Sequence, residues 1–203
     1  MKKNINYFSN RTEKKKNDLI VGIKDIMNFF EKKLNIKVYL VYGTLLGSIR
    51  ENDFINHDHD IDLAYLSNKH TVKEVIKETQ HIYTTLKNYK MLGKLWASNG
   101  AIFANQFTGK EHPRGHAHIW DLNHAICTDL FTSWIDKKGK YHLVRKINGE
   151  FSNSILLPFL KGKLRGENFR IPNGSKRLLT YWYKNWEIPM EHNYLNCKKV
   201  CRL

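Results

Sequence analysis

Apolar residues at Leu19, Ile20, Ile23, Ile26, Met27, Phe30 and Leu34 recur at helical spacing, so residues 12–34 are predicted to form an amphipathic helix. Val38 to Tyr42 is a short β-rich run ending at Gly43. Gly43-Thr44 then opens a short helical segment from Leu45 to Arg50, and an acidic strand follows over about residues 60–66. A second helix covers 70–88, with Val72, Val75, Ile76, Thr79, Ile82, Tyr83 and Leu86 along one side. Strand-like runs at 91–97 and 100–107 suggest a hairpin across Ser98-Asn99-Gly100. Residues 109–124, rich in Gly, His and charge, read as a loop. Ala125 to Ile135 reads as a strand carrying Asp129 among apolar neighbours, and Asp136-Lys137-Lys138-Gly139 turns the chain into another strand near 140–145. Pro172-Asn173-Gly174-Ser175 caps a helix through Lys184 that presents Leu178, Leu179, Tyr181, Trp182 and Tyr183. This irregular alternation predicts an α+β (mixed α/β) class, a small mixed sheet flanked by helices.

One stretch breaks the apolar pattern in an informative way. His57-Asp58-His59-Asp60-Ile61-Asp62-Leu63 places carboxylates at alternating positions. In an extended strand, side chains two apart share a face, so Asp58, Asp60 and Asp62 are expected in one row, with His57, His59 and Ile61 opposite. Crowded carboxylates repel unless a cation sits between them. Hard divalent cations take oxygen ligands and commonly combine carboxylates with substrate phosphates. The competing reading is a solvated charged turn, for which Asn52-Asp53 and Asn56 are suitable neighbours. Ile61, Leu63 and Ala64 continue the apolar pattern through the acidic row and favour an ordered element.

Composition narrows the class. A chain of 203 residues with 41% hydrophobic content can form one domain with a real core, and it is expected to be a single domain over 1–203 with a basic tail over about 190–203. No apolar run approaches the ~20 residues that span a bilayer, and the basic start Met1-Lys2-Lys3 is not followed by an apolar signal core. A cytoplasmic protein is expected. Its formal charge of +15 suits nucleic acid, an anionic membrane surface or a phosphate-rich substrate, and does not choose among them. Cys127, Cys197 and Cys201 are too few and too uneven for a disulfide framework.

Three features then suggest chemistry. Gly43 and Thr44 at a strand-to-helix turn offer backbone N–H groups and a hydroxyl to an anion, reinforced by the helix dipole. Asp60 and Asp62 supply neighbouring metal ligands. Asp129 lies in the apolar run Ile126-Cys127-Thr128-Asp129-Leu130-Phe131 and needs a partner if buried, which a shared metal would supply; an exposed position or a structural ion pair is the alternative. His112, His116, His118 and His124 invite a zinc assignment, but no cysteine is near them. They read better as residues of a substrate loop, with Arg114 and His116 as candidate phosphate contacts. Trp182 and Trp186, spaced i,i+4, read as packing residues.

The run Tyr42-Gly43-Thr44-Leu45-Leu46-Gly47-Ser48-Ile49-Arg50, then Asp53-Phe54-Ile55, then Asp58-His59-Asp60-Ile61-Asp62, resembles the signature of the LicD/fukutin family within the nucleotidyltransferase superfamily. Thr128-Asp129-Leu130-Phe131, Leu157-Pro158, Ile171-Pro172 and Tyr183-Lys184-Asn185-Trp186-Glu187-Ile188-Pro189 extend the likeness in the same order. Two departures stand out. The family's proline-tryptophan before the acidic strand is Asn56-His57 here, and its frequent middle aspartate is His59. Both are expected on the face opposite the metal ligands.

The resemblance implies a nucleotidyltransferase-like fold and a metal-dependent phosphotransferase. Such an enzyme moves phosphocholine or a polyol phosphate from a CDP-linked donor to a hydroxyl of a bacterial surface glycan such as capsule, lipooligosaccharide or teichoic acid. Mg²⁺ or Mn²⁺ would be held by Asp60, Asp62 and Asp129, with Asp58 or Asp129 as the base. Arg50 and a lysine would neutralise phosphate charge. Peripheral association with an anionic membrane is a further expectation. Two other functions compete: a nucleotidyltransferase acting on a small molecule, RNA or protein, and a basic nucleic-acid-binding module. The second lacks the aromatic-basic interleaving expected of such modules.

Overall fold

A computed structural model of the chain describes residues 7–88, 95–97, 116–121, 126–144 and 146–189. The first helix, α1 (Glu13–Phe29), is capped by Thr12, whose side chain accepts from the Lys15 N–H. Leu19, Ile20, Ile23, Ile26 and Met27 form its buried stripe. It runs on through a wider π turn (Phe30–Leu34) and stops at Asn35, whose left-handed backbone breaks the helix. The helix α3 (Val72–Asn88) begins at Thr71, which exchanges bonds with Glu74 in the manner of a capping box.

The central sheet is mixed. Its strands β1 (Lys37–Leu40), β2 (Ile61–Leu66), β5 (Ile126–Ile135), β4 (His116–Asp121) and β3 (Leu95–Ala97) lie side by side in the order β1-β2-β5-β4-β3. Only the β2–β5 pairing on this path is parallel. β6 (Lys140–Leu143) pairs with the far half of β5, and β7 (Ile147–Ser152) pairs with β6. Alternation sorts the side chains into two cores. Val38, Leu40, Leu63, Tyr65 and Leu130 pack on one face with α1 residues, while Tyr39, Val41, Ala64 and Phe131 pack on the other. A sheet covered on both faces explains why β1 and β2 read as nearly continuous apolar runs. Buried hydroxyls in these cores are paired, as Tyr39 is with Ser133 and Tyr141 and Tyr65 with Thr79 and Thr132.

The remaining elements enclose the start of β2. The short helix α2 (Tyr42–Arg50) follows β1 directly. A separate hairpin, β8 (Leu160–Leu164) and β9 (Glu167–Ile171), turns through Arg165 and Gly166, both at positive φ as a two-residue hairpin turn requires. The Arg165 guanidinium bonds Asp53 at 2.6 Å and also reaches Glu13, tying this hairpin to α1 and to the loop after α2. The last helix, α4 (Ser175–Tyr183), lies against α2.

Three sequence expectations need correction. His116–Asp121 is a strand within the stretch read as a loop, and it pairs antiparallel with both β3 and β5. Its polar residues hide the pattern because strand pairing, not burial alone, specifies it. β3 therefore pairs with β4, and the strand expected at 100–107 lies outside the described residues. β7, β8 and β9 escaped the sequence reading because alternating polar positions, such as Lys161 and Lys163 in β8, dilute their apolar signal. The basic tail over 190–203 is outside the described residues.

Candidate active site

The entry to α2 is shaped by backbone geometry. Tyr42 adopts φ 43°, a left-handed conformation uncommon for a bulky side chain. Its ring is wedged between Phe131 and Trp182, and its hydroxyl donates to the Val144 carbonyl at 2.9 Å. Gly43 follows, and a larger residue there would have to displace the Asp58 carboxylate. A Cβ at this position would collide with Asp58 Oδ2 and sit 3.1 Å from Asp62 Oδ2.

Asp62 lies on β2, one residue past its start, and is the register partner of Asp129 on the parallel neighbour β5. Its carboxylate accepts the Gly43 N–H at 2.9 Å, and its own N–H donates to the Thr44 hydroxyl at 2.8 Å. The N–H and hydroxyl expected to meet a substrate anion are thus already engaged by Asp62. The helix N-terminus stabilises the protein's own carboxylate, which lets Asp62 be buried beside other acids.

Asp58 and Asp60 do not share a strand face with Asp62, because they precede β2 in a turn. The acids converge all the same. Carboxylate oxygens of Asp60, Asp62 and Asp129 lie within 4.8 Å of one another, and ligand atoms of Asp58, His59 and Asp60 do likewise. Residues 7–11 strap this turn in place. The Phe8 N–H donates to the Asp58 carbonyl at 2.8 Å, Arg11 donates to the His59 carbonyl at 2.9 Å, and Phe8 stacks on Phe54 at 4.6 Å.

Electrostatics mark the cluster as an unneutralised one. Burial, with the Asp60 charge added, pushes the Asp58 carboxyl up to about 7. Burial, and then the charges of Asp60, Asp58 and Asp129, hold the Asp62 carboxyl well above the usual carboxylate range. The same acids act on Tyr183, whose hydroxyl ionises well above its ordinary value through burial and the charges of Asp62, Asp58 and Asp60. Crowded, partly desolvated oxygens of this kind suit a hard divalent cation.

A cleft of about 480 Å³ opens over the cluster. Gly43, Asp58 and Asp62 line it together with Trp182, Tyr183, Lys184 and Trp186. His57 and His59 line it too, so they stand on the same side as the acids and not on the opposite face expected for them. The strand assumed for residues 57–60 is a turn, and a turn does not separate alternate residues. Arg50 also lines the cleft, but its guanidinium pairs with Glu51 at 2.7 Å and donates to the Trp186 carbonyl at 2.9 Å. Its visible work is to tether the segment after α4. Trp186 is buried and donates to the Thr180 hydroxyl at 3.0 Å.

The family model described as LicD/FKTN/FKRP, nucleotidyltransferase domain, matches residues 35–174. The chain belongs to the LicD family. Membership makes it a transferase of the phosphotransferase type that acts on glycans. No curated protein matches it. The matched span contains Asp58, Asp60, Asp62 and Asp129 of this LicD-family chain, whereas the residue 7–11 strap and the segment Tyr183–Trp186 lie outside it.

Of the remaining sequence candidates, Arg114, His112 and His124 lie outside the described residues. The His116 and His118 backbones lie on β4, opposite Phe131 and Asp129 respectively. Sequence reasoning missed Arg11 as a support of the acidic turn, and nothing in its local pattern signals that role. Tyr183 and Lys184 were visible only as part of the closing block. No helix among the described residues is long and apolar enough to cross a membrane.

Proposed function

We propose that this LicD-family protein transfers a phospho-substituent, of the phosphocholine or polyol phosphate type, from a CDP-linked donor to a hydroxyl of a bacterial surface glycan. The observation that carries the reading is the gathering of Asp60, Asp62 and Asp129 oxygens within 4.8 Å, beside a cleft lined by Asp58 and Asp62. The three-carboxylate donor set fits Mg²⁺ or Mn²⁺, and such an ion would screen the diphosphate charge as it shifts to the leaving cytidylate.

The other roles belong to the chain. Asp58 lines the cleft and is our choice for the base that takes the acceptor hydroxyl proton, in preference to Asp129, which is held on β5 in register with Asp62. The hydroxyl oxygen attacks the substituted phosphorus, the bond to the bridging oxygen breaks, and CMP departs. Gly43 leaves room for the Asp58 and Asp62 carboxylates, and the apolar wall of Trp182 and Trp186 limits water. The charge of +15 supports work at an anionic membrane face on the cytoplasmic side, where donor and acceptor would meet.

The experiment is a panel of CDP-linked donors with Mg²⁺ or Mn²⁺, read as CMP release in the presence of a glycan acceptor. Release from at least one donor, abolished by EDTA, is expected. A second reading has one observation in its favour, the nucleotidyltransferase description of the matched domain. It predicts pyrophosphate release from nucleoside triphosphates and no CMP release. Inactivity toward both donor classes would sink both readings.

A further inference from the structure

The chain leaves α4 by an unusual route. Lys184, directly after the helix, has φ 54° and ψ −98°. The positive φ is disfavoured for any residue bearing a Cβ, and this ψ lies far from the ordinary left-handed well near +47°. Glycine would occupy it without steric cost, and helices commonly end on glycine. A lysine in this place therefore stores local strain, which proteins tend to keep where function needs it.

The strained residue is also held in position from both sides. Its N–H donates to the Thr180 carbonyl at 2.9 Å, closing α4. Two residues on, the Trp186 carbonyl is gripped by Arg50 at 2.9 Å. Between these anchors Lys184 lines the same cleft as Asp58 and Asp62. Arg50, the arginine of the lining, is occupied by Glu51 and by that carbonyl. The Lys184 ammonium makes no ion pair or hydrogen bond among the described residues. A phosphate-bearing ligand seated beside the carboxylates needs a cation that is not already neutralised, and an ammonium serves as a point charge for that purpose.

We infer that Lys184 is the phosphate-binding cation of this cleft, and that its strained backbone is retained to project the ammonium toward a diphosphate. The inference rests on the reading of the cleft as a phosphotransferase site, but it concerns any diphosphate ligand and not the cytidine or the acceptor. It also assigns the lysine left unspecified by the sequence to a residue beyond the family-matched span.

The test uses the full chain with Lys184→Gly and Lys184→Met, and two probes with Mg²⁺: inorganic pyrophosphate and CDP. Lys184→Gly relieves the strain and should raise the Tm of the ligand-free protein by about 2–4 °C. It should also weaken pyrophosphate binding about tenfold or more, the scale of one charge-assisted contact. Lys184→Met keeps the backbone strain, so it should lose affinity equally with no gain in Tm, which separates charge from conformation. If the wild type binds pyrophosphate and both variants bind it as well, the inference is overturned. If pyrophosphate binding depends on Lys184 while CDP binds no better than pyrophosphate, the inference stands and the cytidine-linked donor fails. A wild type that binds neither probe overturns both.

Discussion

Asp62 and Asp129 face each other across adjacent parallel strands, whereas Asp58 and Asp60 sit in the turn that precedes β2. The first pair is placed by the sheet ladder and by the α2 entrance, where Gly43 and Thr44 both bond Asp62. The second pair depends on a strap drawn from residues 7–11, which bonds the Asp58 and His59 carbonyls from outside the family-matched span. One half of the cluster is therefore anchored in the sheet itself. The other half is adjustable through a peripheral element, which makes the turn the place where the site can be tuned without unfolding the sheet.

The sheet-held half should be the harder to do without. Asp62→Asn keeps an oxygen for the Gly43 N–H but removes the charge, so CMP release should fall by roughly 10²-fold or more, the scale of a lost electrostatic contact at a reacting centre. The metal-free protein should melt at the same temperature or slightly higher, because repulsion among the acids is relieved. Near-wild-type turnover at saturating metal would remove Asp62 from the site. Gly43→Ala strikes the junction of the two halves. Its Cβ collides with Asp58 Oδ2, and a drop of about 10–100-fold is expected, typical of a residue that orients ligands. An unchanged rate would mean that the turn gives way freely.

Arg11→Gln sharpens the contrast. It should weaken Mn²⁺ binding about tenfold in calorimetric titration, through the turn alone. In an Asp60→Asn background the same change should cost much less, and an equal cost in both backgrounds would show that Arg11 does not act through the turn. The smallest effect is one of pH. Asp58 holds its proton more tightly folded than unfolded, so its contribution to stability is full below the ordinary carboxylate value of 3.8 and is lost as pH rises through about 7, and Asp62 is shifted in the same direction. With EDTA present, Tm should decline between about pH 5 and about pH 8, and saturating Mg²⁺ should flatten that decline. A Tm that rises over this interval in EDTA would contradict the crowding of buried acids.

Much of the architecture was legible along the chain. The apolar stripes of α1 and α3, the run into Gly43 and the strand around Asp129 are strong local periodicities, and they appear close to the expected boundaries. β4 was misread as a loop, and β7 to β9 were unread, because their polar positions dilute the apolar signal along the chain, although each pairs with a strand close by in sequence. At the site the candidate acids were recognisable by residue type and by the family resemblance. Their arrangement was not: the alternation of Asp58, Asp60 and Asp62 suggested a strand row, while the strand begins only at Ile61.

What the sequence determined alone is therefore the set of helices and strands with strong periodicity, the family signature and the identity of the acidic residues. Those depend on neighbours within a few positions, which the linear order preserves. Tertiary structure decided which carboxylates meet, because the Asp62–Asp129 pairing is a matter of register between strands more than sixty residues apart. It also decided that the Gly43 N–H holds Asp62 instead of awaiting a substrate, and that Arg50 is engaged with Glu51 and the Trp186 carbonyl. Lys184, left lining the cleft on a strained backbone, is visible only once α4 and Arg50 have fixed the path of the chain around it. Hydrogen bonds between distant segments have no linear signature, and they settled those roles.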